Sequence, residues 1–130
     1  MSLVLVNSVR PTKKTFTYLS RSAPYGSNRA QVCLDAALAT AVFEQTVNYV
    51  FLDDGVYQLL KEQNADKIFT KTIGNAIETL ELYGIQNIFI KEDSLRERIL
   101  SVDDLAIKVE PLSNKKLAEL IDGSDSVINL

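Results

Sequence analysis

Few side chains in this sequence can do chemistry, and three places hold most of them. Asp53 and Asp54 adjoin at the end of an apolar run and precede Gly55. Paired carboxylates at a strand end can hold a divalent cation. A receiver-like phosphoacceptor site also keeps acids there, but it needs another Asp closing the third strand and a Lys after the fifth. Here the third strand closes in Ile90-Lys91 and the sequence stops at the fifth. The plainer reading is a capped turn closed by Gly55, and no metal is expected. Cys33 is the single thiol. Ala30, Leu34 and Ala37 share its helical face, so burial should raise its pKa and keep thiolate scarce. Pro24-Tyr25-Gly26-Ser27 leads into a helix start, where free N–H groups can hold an anion; the plainer reading is a strand-to-helix turn.

What is missing narrows the chemistry further. The 130 residues contain no His, which removes His-ligated metals, Ser–His–Asp triads and Cys–His dyads. One Cys excludes an internal disulfide, a CxxC pair and a Cys-rich zinc site. The five glycines show neither GxGxxG nor GxxxxGK[ST] spacing, so a dinucleotide fold or P-loop is not expected, nor any other cofactor. With 14 basic against 17 acidic residues, net charge −3, direct nucleic-acid binding is not expected either. Arg10, Lys13, Lys14, Arg21, Arg29 and Arg96 are scattered and read as solvated or acid-paired. No apolar run approaches the length of a membrane span, and the start lacks a signal-peptide pattern, so the expected location is the cytoplasm.

These residues need a frame. Residues 1–15 read as an N-terminal arm or edge strand, and 16–130 as one domain. Phe16–Ser20 is rich in β-branched and aromatic residues and reads as strand one. A helix over about 28–44, capped by Ser27, follows from apolar positions at Ala30, Cys33, Leu34, Ala37, Leu38 and Ala41. Val47–Leu52 is a strand covered on both faces, and Val56–Lys61 a short helix. A helix over about 70–83 ends at Gly84, an αL cap, before strand Ile85–Ile90. Ser94 and Glu97 fit a capping box. Ala106–Val109 reads as strand four, ended by Pro111. Ser113 caps a helix stopped by Gly123, and Val127–Leu130 is strand five. The alternation implies right-handed crossovers and a three-layer α/β/α domain with a five-stranded, mostly parallel sheet. Sites in such sheets lie beyond the carboxyl ends of the strands.

Three stretches carry a resemblance. Tyr18-Leu19-Ser20-Arg21-Ser22-Ala23-Pro24-Tyr25-Gly26, Phe51-Leu52-Asp53-Asp54-Gly55-Val56-Tyr57-Gln58-Leu59 and Ser94-Leu95-Arg96-Glu97-Arg98 resemble the DsrF/TusC branch of the DsrE-like sulfur-relay family, over about residues 16–130. The resemblance implies a five-stranded parallel sheet between helices. It implies a heterohexamer with DsrE/TusD-like and DsrH/TusB-like sister subunits. It also implies persulfide sulfur received from a TusA-like donor and passed to a DsrC/TusE-like acceptor, toward wobble 2-thiouridine in tRNA or, in sulfur oxidisers, toward sulfur oxidation. The resemblance implies that the sulfur-carrying Cys lies in the DsrE/TusD sister; anchored on Leu95-Arg96, its place falls near Ile90 here, which has no thiol. The family pattern has Gly after LRER, where this chain has Ile99. The resemblance and the sparse chemistry together read as a non-catalytic subunit. Its expected contact rim is Pro24, Tyr25, Gly26, Asp53, Asp54 and Tyr57, with Tyr25 and Tyr57 as anchors because Tyr is enriched in interface cores. Two rival readings are kept: Cys33 as a sulfur carrier, and a stand-alone flavodoxin-like domain binding a small anion at Ser27–Asn28.

Overall fold

The computed structural model describes residues 13–60, 78–106 and 109–130. The arm up to residue 12, the first part of the 70–83 helix and residues 107–108 of the expected fourth strand lie outside them. Strands β1 (Thr15–Ser20), β2 (Thr46–Phe51), β3 (Asn87–Lys91), β4 (Glu110–Leu112) and β5 (Ser126–Asn129) form one sheet in the order β4-β3-β2-β1-β5. Every neighbouring pair is parallel, so the sheet is wholly rather than mostly parallel.

Topology decides which face each helix covers. From β1 to β4 the chain steps along the sheet one way; from β4 to β5 it steps back past β1. Right-handed crossovers therefore place α1 (Arg29–Val42) and helical residues 78–82 on one face. They place α3 (Asn114–Asp122), in the β4–β5 connection, on the other. The two cores follow that division. On the first face Tyr18, Tyr49, Phe51, Ile88 and Ile90 pack under Cys33, Leu34, Ala37, Leu80 and Leu95. On the second, Leu19, Val50, Leu52 and Leu112 pack against Leu117, with Leu120 and Ile121 beside them. β2 is central and covered on both sides, which is why its sequence is nearly continuous in apolar residues.

Several local expectations hold. Ser113 accepts a hydrogen bond from Lys116 N–H at 3.2 Å and caps α3. Gly84 has φ +88°, the left-handed cap read from the sequence. Others need correction. The N-cap of α1 is Asn28, without a side-chain bond; Ser27 Oγ accepts from Arg29 N–H at 3.4 Å. The segment after β2 is a 3-10 helix beginning earlier, Asp53–Leu59. Ser94 opens no capping box: α2 (Glu92–Glu97) starts two residues before it, and Ser94 lies buried inside the helix. A capping box does occur at Ser101 and Asp104. Strand four is Glu110–Leu112 and contains Pro111 instead of ending at it. The strand is at the sheet's edge, where a missing ladder donor is tolerated.

Candidate functional site at the carboxyl rim of the sheet

The loop after β1 and the 3-10 helix after β2 meet above the carboxyl ends of their strands. The approach is backbone on backbone: a Cβ added to Gly55 would stand 2.0 Å from the carbonyl oxygen of Ser20. Only glycine fits there, which is the physical reason for the Asp-Asp-Gly sequence. Asp53 takes a positive φ of 51°, a conformation Asp tolerates better than most residues.

Side chains then tie the rim together. Gln58 Nε2 donates to Ser20 Oγ and to the Ser22 carbonyl, both at 2.9 Å, fastening the 3-10 helix to the loop. Asp53 N–H donates to Ser94 Oγ at 2.9 Å, which is what holds Ser94 inside α2. Arg21 donates to Asp53 and, through Nε, to Asn129 Oδ1 on β5. Arg98 donates to Asp54 at 2.9 Å and to the Ser94 carbonyl, and its guanidinium carbon stands 5.9 Å from the Tyr57 ring centroid. The first of these ion pairs is about 40% exposed on both partners and contributes little on its own. The geometry comes from the set: β1, β5, the 3-10 helix and α2 share one network.

The sequence-derived rim residues fall into two groups. Asp53, Asp54 and Tyr57 are on this network. Asp53 and Asp54 face different arginines, so their carboxylates are engaged separately and not turned together toward a cation. No cluster of three or more Asp, Glu, Cys or His side chains suited to a metal occurs among the described residues. Pro24 is buried, while Tyr25 is 60% exposed with Gly26 beside it. The sequence did not mark Ser20, Gln58 or Arg98 as site residues, read Ser94 only as a helix cap, and left Tyr49 between core and partner-facing. For Gln58 and Arg98 the signal was their place within the DDGVYQL and LRER stretches.

Beneath the rim lies a small polar cluster. Cys33 and Tyr49 are fully buried and Ser20 is 1% exposed. Burial raises the Cys33 thiol pKa, partly offset by the Tyr49 and Ser20 hydroxyls. Burial also holds Tyr49 well above its usual range, with Cys33 adding to the effect. Tyr49 Oη has no hydrogen bond of ordinary geometry. Both groups are therefore neutral at physiological pH, and the thiol has no exposed surface. Ile90, where the resemblance places the family's active cysteine, is fully buried in the core. A hollow of about 640 Å³ exists at the opposite end of the sheet, lined by residues such as Phe43, Gln45, Tyr83 and Asn87, and none of the sequence-derived site residues borders it.

Comparison with known proteins agrees with the fold and specifies the lineage. The model of the DsrE/DsrF-like family matches residues 14–130. The intracellular sulfur oxidation protein DsrF of Allochromatium vinosum is 37% identical, covering 89% of this chain and 96% of its own. A TusC homolog of Pseudomonas aeruginosa is 35% identical over 86% of this chain and 94% of its own. The crystal structure of the ychN protein from E. coli superposes with a TM-score of 0.76 at 21% identity, covering 92% of this chain and all of that one. With the matched segment starting at the foot of β1 and running through β5, the chain belongs to the DsrE/DsrF-like family.

Proposed function

We propose that this chain is a non-catalytic, DsrF/TusC-like subunit of a cytoplasmic sulfur-relay complex. In this reading the complex passes persulfide sulfur between carrier proteins, and the chain contributes shape and contacts, not a sulfur-bearing thiol. What supports the reading is the pairing of lineage with absent chemistry: a chain similar to DsrF and TusC over most of its length has a buried Ile90 near the place where the resemblance puts the sister's cysteine, and a single, fully buried Cys33.

The partners in this reading are DsrE/TusD-like and DsrH/TusB-like sisters in a heterohexamer, with a TusA-like donor and a DsrC/TusE-like acceptor. The end product is wobble 2-thiouridine. The similarity to the intracellular sulfur oxidation protein DsrF of Allochromatium vinosum favours a second reading, the same structural role in sulfur oxidation. The rim suits contact because it is held in shape before any partner arrives. Its polar groups are already bonded within the chain, and Tyr25 projects with most of its surface free. Aromatic anchors carry a large share of interface energy.

The test is recovery of the tagged chain from its native host, followed by native mass spectrometry. Two homologous subunits in equal amount are expected, and Tyr25→Ala should weaken their retention by about tenfold or more. Recovery of the chain alone would refute the subunit reading. Rapid labelling of Cys33 in the folded protein would refute the non-catalytic part of it.

A further inference from the structure

The amino end of the sheet carries apolar surface that no described residue covers. Phe43 is 75% exposed, and Val42, Leu82 and Tyr83 are each more than half exposed. They stand together where α1 and helical residues 78–82 stop. Phe43 and Tyr83 line the hollow of about 640 Å³, and so does Lys13, the first described residue. Lys14 is fixed at the same place. Its N–H donates to Gln45 Oε1 at 2.7 Å and its carbonyl accepts from Thr46 N–H at 2.9 Å, and Gln45 and Thr46 also line the hollow. The chain that precedes β1 therefore leaves from the hollow's border. That chain is Met1-Ser2-Leu3-Val4-Leu5-Val6-Asn7-Ser8-Val9-Arg10-Pro11-Thr12.

We propose that the hollow is the docking site of this chain's own apolar run Leu3–Val6, whose side chains pack against Phe43 and Tyr83. The proposal goes beyond the relay reading and does not depend on it. Three observations select this occupant. The first is the point of departure: the two hydrogen bonds of Lys14 start the preceding chain at the hollow itself. The second is reach. Asn7–Thr12 is a tether of six residues, spanning at most about 22 Å. It keeps Leu3–Val6 beside the hollow at an effective concentration of order mM, which a free partner seldom matches. The third is composition. Leu3–Val6 is the one uninterrupted apolar run in residues 1–12, and covering the rings removes apolar surface from water on both sides. The only charged side chain in residues 1–12 is Arg10, and Glu44 lines the hollow, so the signs are complementary. The family model matches from residue 14 onward, so the docked run lies outside the part shared with it.

The test is NMR of the full chain, wild type against the double variant Leu3→Asp, Leu5→Asp. In the wild type, nuclear Overhauser contacts are expected between the methyl groups of Leu3–Val6 and the rings of Phe43 and Tyr83. The double variant should lose them and shift both ring signals, with the amide signals of the sheet unchanged. Phe43→Ala gives the reciprocal probe: Phe43 is mostly exposed, so the fold should stand while the contacts to Tyr83 weaken. A sample mixing isotope-labelled and unlabelled copies separates the sources. Contacts within one copy support the proposal. Contacts that form only between copies would overturn it, as would their absence from the wild type or ring signals indifferent to the double substitution. The wild-type contacts are read without any variant, so a variant that misfolds does not remove the test.

Discussion

At the carboxyl end of the sheet, Arg21, Gln58, Ser94 and Arg98 bind four segments into one network. The amino end has a different set among the described residues: Lys14 N–H donates to Gln45 Oε1, Thr15 N–H to Asp125 Oδ2 and Asn48 Nδ2 to Thr17 Oγ1. There Val42, Phe43, Leu82 and Tyr83 stand 51–84% exposed, around turns made by Glu44 and Gly84, both in the left-handed region. The carboxyl end is tied by side chains that join a loop, the 3-10 helix, α2 and β5. The amino end ties strand starts to neighbouring turns, and its apolar surface lies where helices stop. A network fixes the rim's geometry to within hydrogen-bond tolerances, whereas a helix end needs only local backbone freedom.

That difference predicts unequal responses to one chemical change, addition of a methyl group to a glycine. At the rim, Gly55→Ala drives a Cβ to 2.0 Å from the Ser20 carbonyl, and the backbone on both sides must move. A loss of about 3 kcal/mol or more is expected in urea denaturation. At the amino end, Gly84→Ala meets nothing within 4 Å. It should cost only the left-handed penalty of about 1 kcal/mol. Equal costs at the two positions would mean that the rim yields as easily as a helix end.

The buried cluster under the rim sharpens the contrast through pH. Cys33 and Tyr49 have their pKa values raised by burial, so the folded state holds its protons to higher pH than the unfolded chain does. Where the unfolded state binds fewer protons, stability falls as pH rises. Their contribution is therefore complete at neutral pH and is lost as pH climbs past the ordinary thiol range, near about 8.5. The slope reaches up to about 1.4 kcal/mol per unit for each group. Denaturation series from pH 7 to about 10.5 should show this decline. Cys33→Ala should flatten its onset and Tyr49→Phe its later part. An unchanged slope in both variants would place the alkaline loss elsewhere.

How much of this was legible in the sequence follows from the range of the interactions. Strands β1, β2, β3 and β5 were readable because each is a run of β-branched and aromatic residues, and α1 because its apolar stripe repeats at helical spacing. Cys33's burial followed from the same stripe. The Asp-Asp-Gly turn was visible, but its cause was not: Gly55 is required by a carbonyl 35 residues earlier in the chain, at Ser20. Ser94 misled for the same reason. Ser followed three residues later by Glu satisfies the capping rule locally, yet its hydroxyl serves Asp53, 41 residues away. Strand four was misplaced because proline was taken as a stop, which holds inside a sheet and fails at its edge. Local rules give elements; the rim is made of contacts that no local rule contains.

Ile99 offers the smallest and most pointed probe of the rim. It follows α2 with φ +56°, where a β-branched residue is crowded against its own backbone. The turn is otherwise well made, with Ile99 N–H bonded to the Arg96 carbonyl and Leu100 N–H to the Leu95 carbonyl. The side chain is 94% exposed, so within the monomer its burial contributes almost nothing against the strain. Glycine at this place, as the resemblance implies for the family, removes the clash at the cost of a freer unfolded chain. Ile99→Gly should therefore raise stability by up to about 1 kcal/mol, read as a higher urea midpoint with unchanged slope. If the isolated chain gains stability while its assembly weakens, the strained isoleucine is held outward for a contact. If both improve, the turn is merely a tolerated departure. If stability falls, Ile99 is packed by something the rim's own contacts do not include, and the view of a self-contained rim fails at that corner.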